Sequence, residues 1–126
     1  MGTFHTSIAV ARNPDGPFEA VDALVDSGAT YTLLPRPFLE RLAVPVTGSE
    51  SFVLADGTEH DLSVGIGWVR IEDRIRPTVI VFGPDDAEPL LGAVTVEEFA
   101  LGIDPLRREL IRVRGYLVGL REDSTR

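Results

Sequence analysis

In Ala23-Leu24-Val25-Asp26-Ser27-Gly28-Ala29-Thr30 an apolar extended run passes directly into a carboxylate, a hydroxyl and a glycine. Asp and Ser favour turns by bonding nearby backbone and Gly by its backbone freedom, so the tripeptide alone marks only a bend. Its surroundings give it weight. Apolar residues lead into Asp26, a small and a hydroxylated residue follow Gly28, and Thr32-Leu33-Leu34 resumes an apolar run.

Towards the N-terminus, Phe4 to Arg12 sets Phe4, Thr6, Ile8 and Val10 on one face. Asn13-Pro14-Asp15-Gly16 then supplies turn residues, and Phe18 to Val25 resumes extended, which predicts a hairpin. Beyond the Asp26 segment, Pro35-Arg36-Pro37 followed by Phe38, Leu39 and Leu42 predicts about two turns of helix, ended by Val44 and Pro45. Ser51 to Leu54 and Asp61 to Val69 read as strands around Ala55-Asp56-Gly57-Thr58, where Asp-Gly is a strong hairpin signal. Val69 to Ile71 and Pro77 to Phe82 read as strands separated by the charged Glu72-Asp73-Arg74. Thr95-Val96-Glu97-Glu98 fits a capping box, which predicts a helix from Thr95 to Leu101 with Gly102 at its end. Ile103 to Pro105, Leu110 to Arg114 and the apolar run Tyr116 to Leu120 read as closing or interface strands. Short strands with two brief helices, and no recurring strand-helix-strand unit, predict an all-β domain of barrel or sandwich type.

The chain has 126 residues, the size of one domain, with 44% hydrophobic residues to fill a core. A single domain over residues 1–126 is the expectation. Twenty acidic residues against twelve basic ones give a net charge of -8, which disfavours a nucleic-acid partner, since polyanions are held by clustered cations. There is no cysteine, so thiolate nucleophiles, disulfides and Cys-containing zinc sites are excluded. No apolar stretch approaches a membrane span and the first residues lack the pattern of a signal peptide, so a cytoplasmic protein without a membrane partner is expected.

The Asp26-Ser27-Gly28-Ala29-Thr30 segment resembles the active-site loop of the retroviral-type, or retropepsin-like, aspartic proteases. Leu90-Leu91-Gly92, after the strand Thr78 to Val81 and before a helix, is similar to the apolar-apolar-Gly segment that packs beside that loop. The order of loop, Asp-Gly hairpin, Leu-Leu-Gly, helix and Ile103-Asp104-Pro105 extends the resemblance over nearly the whole chain and looks closer to cellular and bacterial members than to viral ones. Ala93, Thr30 and Tyr31 depart from the family's common residues at their positions. The resemblance implies a small closed β-barrel with one lobe per chain, and an aspartic endopeptidase with no cofactor and no metal. It implies catalytic roles for Asp26, Ser27 and Gly28, substrate contacts from Ala29, Thr30 and the hairpin residues Ala55, Asp56, Gly57 and Thr58 acting as a flap, and support of the loop by Leu90, Leu91 and Gly92.

Elementary chemistry agrees. Hydrolysing a peptide with neither metal nor covalent nucleophile needs one group to take a proton from water and another to protonate the carbonyl. One aspartate cannot serve as both, so two copies must meet about a two-fold axis and share a dyad of Asp26 carboxylates. Such a pair holds one proton between them, the behaviour for which aspartic proteases are the standard illustration. Ser27 would brace the loop across the dimer, and Gly28 would let the backbone approach its partner. A homodimer acting on peptide or protein substrate is therefore expected. The competing reading is a catalytically silent dimer that binds extended peptides by strand addition, which needs no dyad.

Other groupings are weak. His5 and His60 are the only histidines and stand far apart in the chain, so a His-based triad or metal site is not expected. Asp85, Asp86 and Glu88 lack the alternation of a calcium loop, Gly65-Ile66-Gly67 lacks the third glycine of a nucleotide loop, and Trp68 reads as packing.

Overall fold

A computed structural model describes residues 3–115, 117 and 119. Its elements in chain order are β1 (Phe4–Ala11), β2 (Glu19–Val25), β3 (Thr32–Pro35), α1 (Arg36–Arg41), β4 (Val46–Val53), β5 (Glu59–Ile71), β6 (Arg74–Gly83), β7 (Leu90–Leu91), α2 (Ala93–Glu98), β8 (Leu101–Asp104) and β9 (Glu109–Arg112). The final run Tyr116 to Leu120 falls largely outside the described residues.

The first seven strands form one mixed sheet in the order β1-β2-β7-β3-β6-β5-β4, and a further pairing of β1 with β5 closes it on itself. That closure sets Ala9 opposite Arg70, Val10 opposite Val69 and Ala11 opposite Trp68. Six strands thus make a ring, and β4 hangs outside it on β5. The alternation expected for the first strand is visible in the buried Phe4, Ile8 and Val10, which meet Val25, Val69, Leu34, Ile80, Phe82 and Leu91 in the interior. Phe99 of the segment after α2 and Leu39 of α1 plug the same core, both fully buried.

β5 changes character along its length. Its first residues, Glu59 to Asp61, are exposed and pair only with β4, whereas Gly65, Gly67, Val69 and Ile71 are buried between β1, β4 and β6. Every residue of β4 except Phe52 is exposed. The second hairpin is therefore an arm projecting from the ring. Gly65 is required where the arm joins, because a Cβ there would stand 2.1 Å from the Pro45 carbonyl oxygen.

Three sequence expectations need correction. The strand after Glu72 resumes at Arg74, because Glu72 takes a left-handed backbone angle, φ +57°, and so turns the chain within two residues. The second helix begins at Ala93, so Thr95 lies inside it, buried, with Gly92 at the N-cap position. Thr95 prefers buried hydroxyl partners to a capping role. The helix stops at Glu98 through the left-handed Ala100, φ +56°, and Gly102 belongs to β8, which pairs antiparallel with β9. Among the described residues no helix is long and apolar enough to cross a membrane.

Candidate active site

Asp26 follows directly on β2, and Thr32 opens β3, so residues 26–31 form the loop between two strands that are consecutive in the chain. Those strands do not pair with each other. β7 lies between them, with Leu24 opposite Leu90 and Val25 opposite Leu91 in parallel register, and Leu33 opposite Leu90 in antiparallel register. Leu90 and Leu91 thus pin both ends of the loop, and Leu91 is fully buried.

The loop is tightened from within. The Asp26 carboxylate accepts the Gly28 N–H at 3.0 Å, and the Asp26 carbonyl accepts the Ala29 N–H at 3.0 Å. It is also fixed from behind, where the Ala93 N–H donates to the Ala29 carbonyl at 2.8 Å and the Val94 N–H to the Thr30 carbonyl at 2.9 Å. These two donors belong to the first turn of α2, where backbone N–H groups have no partner inside the helix. Gly92 is demanded by this closeness, since a Cβ would lie 2.3 Å from the Tyr31 carbonyl carbon and 2.7 Å from the Thr30 carbonyl oxygen. Gly28, by contrast, has no left-handed angle, and a Cβ there would meet only Asp26 Oδ1 at an ordinary 3.5 Å. Among the described residues of one chain nothing requires glycine at that position.

Beneath the loop runs a line of hydroxyls. The Gly92 N–H donates to Thr32 Oγ1 at 3.1 Å, Thr32 and Thr95 are joined at 2.6 Å, Thr95 and Thr78 at 2.8 Å, and Thr78 donates to Glu98 Oε1 at 2.7 Å. Thr32, Thr78 and Thr95 are buried. The capping-box reading singled out Thr95 and Glu98, and the structure gives both a different task.

A cavity of about 350 Å³ opens over the loop. Asp26, Gly28, Ala29 and Thr30 line it from below, and Phe52 to Ala55 of the projecting arm line it from above. Leu33, Leu62, Val81 and Leu90 make its wall apolar, and among the described residues Asp26 is the one carboxylate in the lining. Of the residues expected at the site, Asp26, Gly28, Ala29, Thr30, Ala55 and Leu90 converge here. Ser27 is exposed at the loop's bend and is not part of the lining. Asp56, Gly57 and Thr58 form the tip of the arm and do not line the cavity either.

The tip is organised by its own bonds. The Gly57 N–H donates to the Leu54 carbonyl at 2.9 Å, the Leu54 N–H to the Thr58 carbonyl at 2.8 Å, and Gly57 holds a left-handed angle, φ +86°. Asp56 Oδ1 accepts from the Thr58 hydroxyl at 2.6 Å and from its N–H at 3.0 Å. These bonds, the hydroxyl's foremost, hold the Asp56 carboxyl below the usual aspartate range.

Sequence reasoning missed Phe52, Leu54, Leu62 and Tyr31 as lining residues. Phe52 and Leu54 stand two residues apart at the end of the arm's first strand, the spacing that marks one face, and Leu62 is an apolar residue on its second strand. Tyr31 carried the signal of a large aromatic placed directly after the loop; its ring meets Phe52 edge-on, 6.0 Å between centroids at 78°. The histidines lie apart from the cavity, His5 against Glu88 at 2.9 Å and His60 against Thr58 at 3.1 Å. Trp68 is half-buried on β5 and does not reach the cavity. Among the described residues, no three His, Asp or Glu side chains are grouped so as to hold a metal ion.

Residues 13–95 match the aspartyl protease family, and the chain belongs to that family. Its fold is the retropepsin fold. EIAV protease in complex with an inhibitor superposes with a TM-score of 0.60 at 15% identity, over 78% of this chain and 88% of that one. The solution structure of simian foamy virus protease gives 0.55 at 21% identity, over 76% and 94%. A retropepsin-like aspartic protease from Rickettsia conorii gives 0.51 at 22% identity, over 82% and 88%. No curated protein matches the chain in sequence.

Proposed function

We propose that the protein is an aspartic endopeptidase that hydrolyses extended peptide segments, with an active site made by Asp26 from two copies of the chain. The observation that carries this reading is the Asp26 carboxylate, partly exposed and the one charged group among the described residues that line the cavity under the projecting arm. One such carboxylate is half of an acid/base pair. A second copy, related by a two-fold axis, brings the other half and closes the cavity's open side. One Asp26, ionised, takes the proton of a water placed between the pair, and the other, protonated, gives its proton to the carbonyl oxygen as water attacks the carbonyl carbon. As the C–N bond breaks, the amine leaves with the proton returned from the first Asp26, and the second takes back a hydroxyl proton as the carboxylic acid forms. Ser27, exposed and with no hydrogen-bond partner among the described residues, is free to bond across the axis, and Gly28 supplies the clearance that such an approach needs. The arm lies above the site, where a peptide strand would run between Phe52–Ala55 and the loop.

Asp26→Asn keeps the size of the side chain and removes the shared proton, so peptide hydrolysis should vanish while fold and dimer persist. The assay is cleavage of an unstructured peptide library across pH, for both proteins, with melting temperature and sedimentation as controls. Wild-type activity should peak on the acidic side of neutrality and fall as the shared proton leaves. A wild type that binds extended peptides as Asp26→Asn does and never cleaves them would leave a peptide-binding module instead.

A further inference from the structure

Beside the active-site cavity lies a second one of about 480 Å³, lined by Tyr31, Glu50, Ser51, Phe52, Val64 and Val79. The two cavities share Tyr31 and Phe52, whose edge-to-face rings form the partition between them. Glu50 stands two residues before Phe52 on β4, and the two-residue period of a strand puts both on one face. Among the described residues the Glu50 side chain has no ion pair. The second cavity therefore combines an uncommitted carboxylate, two aromatic rings and a floor of two valines.

That set fits a long cationic side chain. The aliphatic stem of Arg or Lys packs on Val64 and Val79, the ring surfaces attract the cation, and Glu50 neutralises it. The net charge of -8 favours the arrival of a cation over an anion. Side chains on one face of an extended peptide recur about every 7 Å. A peptide with one residue in the active-site cavity thus sends the residue two positions away past the Tyr31–Phe52 partition.

We infer that the Glu50 cavity is a specificity subsite for Arg or Lys, two positions from the residue seated over Asp26, so that the substrate class is extended peptides with an apolar residue at the site and a basic one two positions off. This rests on the peptidase reading above. In a two-fold dimer the subsite occurs on both sides of the cleavage point.

The test uses labelled peptides identical except at that position, carrying Arg, norleucine or Glu. Binding to Asp26→Asn is measured by fluorescence anisotropy and cleavage is measured with the wild type. The Arg peptide should bind about tenfold more tightly than the norleucine peptide, with the Glu peptide weakest, and the preference should shrink with salt. In a Glu50→Lys background the order should reverse; Glu50 is exposed, so the variant folds. Equal affinity for the Arg and norleucine peptides, an order unchanged by Glu50→Lys, or no binding of any peptide would each overturn the subsite. Cleavage without preference removes the subsite and keeps the peptidase. The predicted binding order without cleavage keeps the subsite and removes the peptidase.

Discussion

The hydroxyls of Thr32 and Thr95 meet at 2.6 Å in full burial, across 63 residues of sequence. Their direction is determined by the ends of the line they belong to. Gly92 N–H can only donate and an ionised Glu98 carboxylate can only accept. Each hydroxyl has one proton, so Thr32 donates to Thr95, Thr95 to Thr78, and Thr78 to Glu98. Each of the three hydroxyls in the line accepts once and donates once. The strand leaving the loop is thereby tied to the surface of α2.

Thr95→Val removes the central hydroxyl and leaves Thr32 without an acceptor and Thr78 without a donor in a buried place. Unfolding by denaturant should show a loss of about 2 kcal/mol. Thr95→Ser, which keeps the hydroxyl, should lose less than half as much. A loss from Thr95→Ser as large as that from Thr95→Val would give the hydroxyl no more weight than the methyl group and contradict this reading.

Gly92→Ala forces a methyl against the Tyr31 and Thr30 carbonyls. The loop must shift or the helix must retreat, at a cost of about 3 kcal/mol. Peptidase activity should be lost even in the fraction that folds, since Ala29 and Thr30 are held by the adjacent N–H groups. Thermal melting and cleavage rates on the same preparation check both parts.

Gly57→Val puts a β-branched residue at φ +86° with no atom within 4 Å of its Cβ, so the cost is conformational, about 1–2 kcal/mol. The arm's tip should distort while the ring stays intact. Kinetics with circular dichroism should show impaired cleavage on an unchanged fold; unimpaired cleavage would remove the arm from the role of lid.

Asp56 supplies a pH dependence local to the same tip. Its folded-state carboxyl titrates below an unstructured aspartate, about 3.9. The turn is therefore supported in full above that pH and loses this support as pH falls through the lower, folded value. The Thr58 amide shift, followed by NMR, should have its midpoint below 3.9 by this reasoning, and Asp56→Asn should abolish that transition. A midpoint at or above the unstructured value would contradict the bonding described for Asp56.

Hairpins were legible because both partners lie close in sequence and the turns are written in their residues: Asn13 to Gly16, and Asp56-Gly57. The Asp26 loop was legible because Asp26, Ser27 and Gly28 are contiguous. Pairings between distant segments were not. No local pattern says that Leu90–Leu91 inserts between β2 and β3, or that β3 runs parallel to β6, since parallel neighbours carry no shared turn. Thr95 misled for the opposite reason: its local pattern fits a cap, and burial beside Thr32 and Thr78 overrode it. The lining by Tyr31 and Phe52 depends on how the arm lies over the loop, which only the joined ring determines.

The insertion of β7 also sets an order of events during folding. The strands on either side of Asp26 have no direct pairing with each other, so their junction cannot set until residues 90–92 arrive from far down the chain. The closure of β1 on β5 likewise waits for residues 68–70. Such non-local closures raise the contact order and slow folding. Pulse-labelling hydrogen exchange should therefore find the amides of β1 and β2 protected early and those of Leu33 and Leu91 late. A newly made chain therefore carries Asp26 for most of that time in a loop that has not yet taken shape.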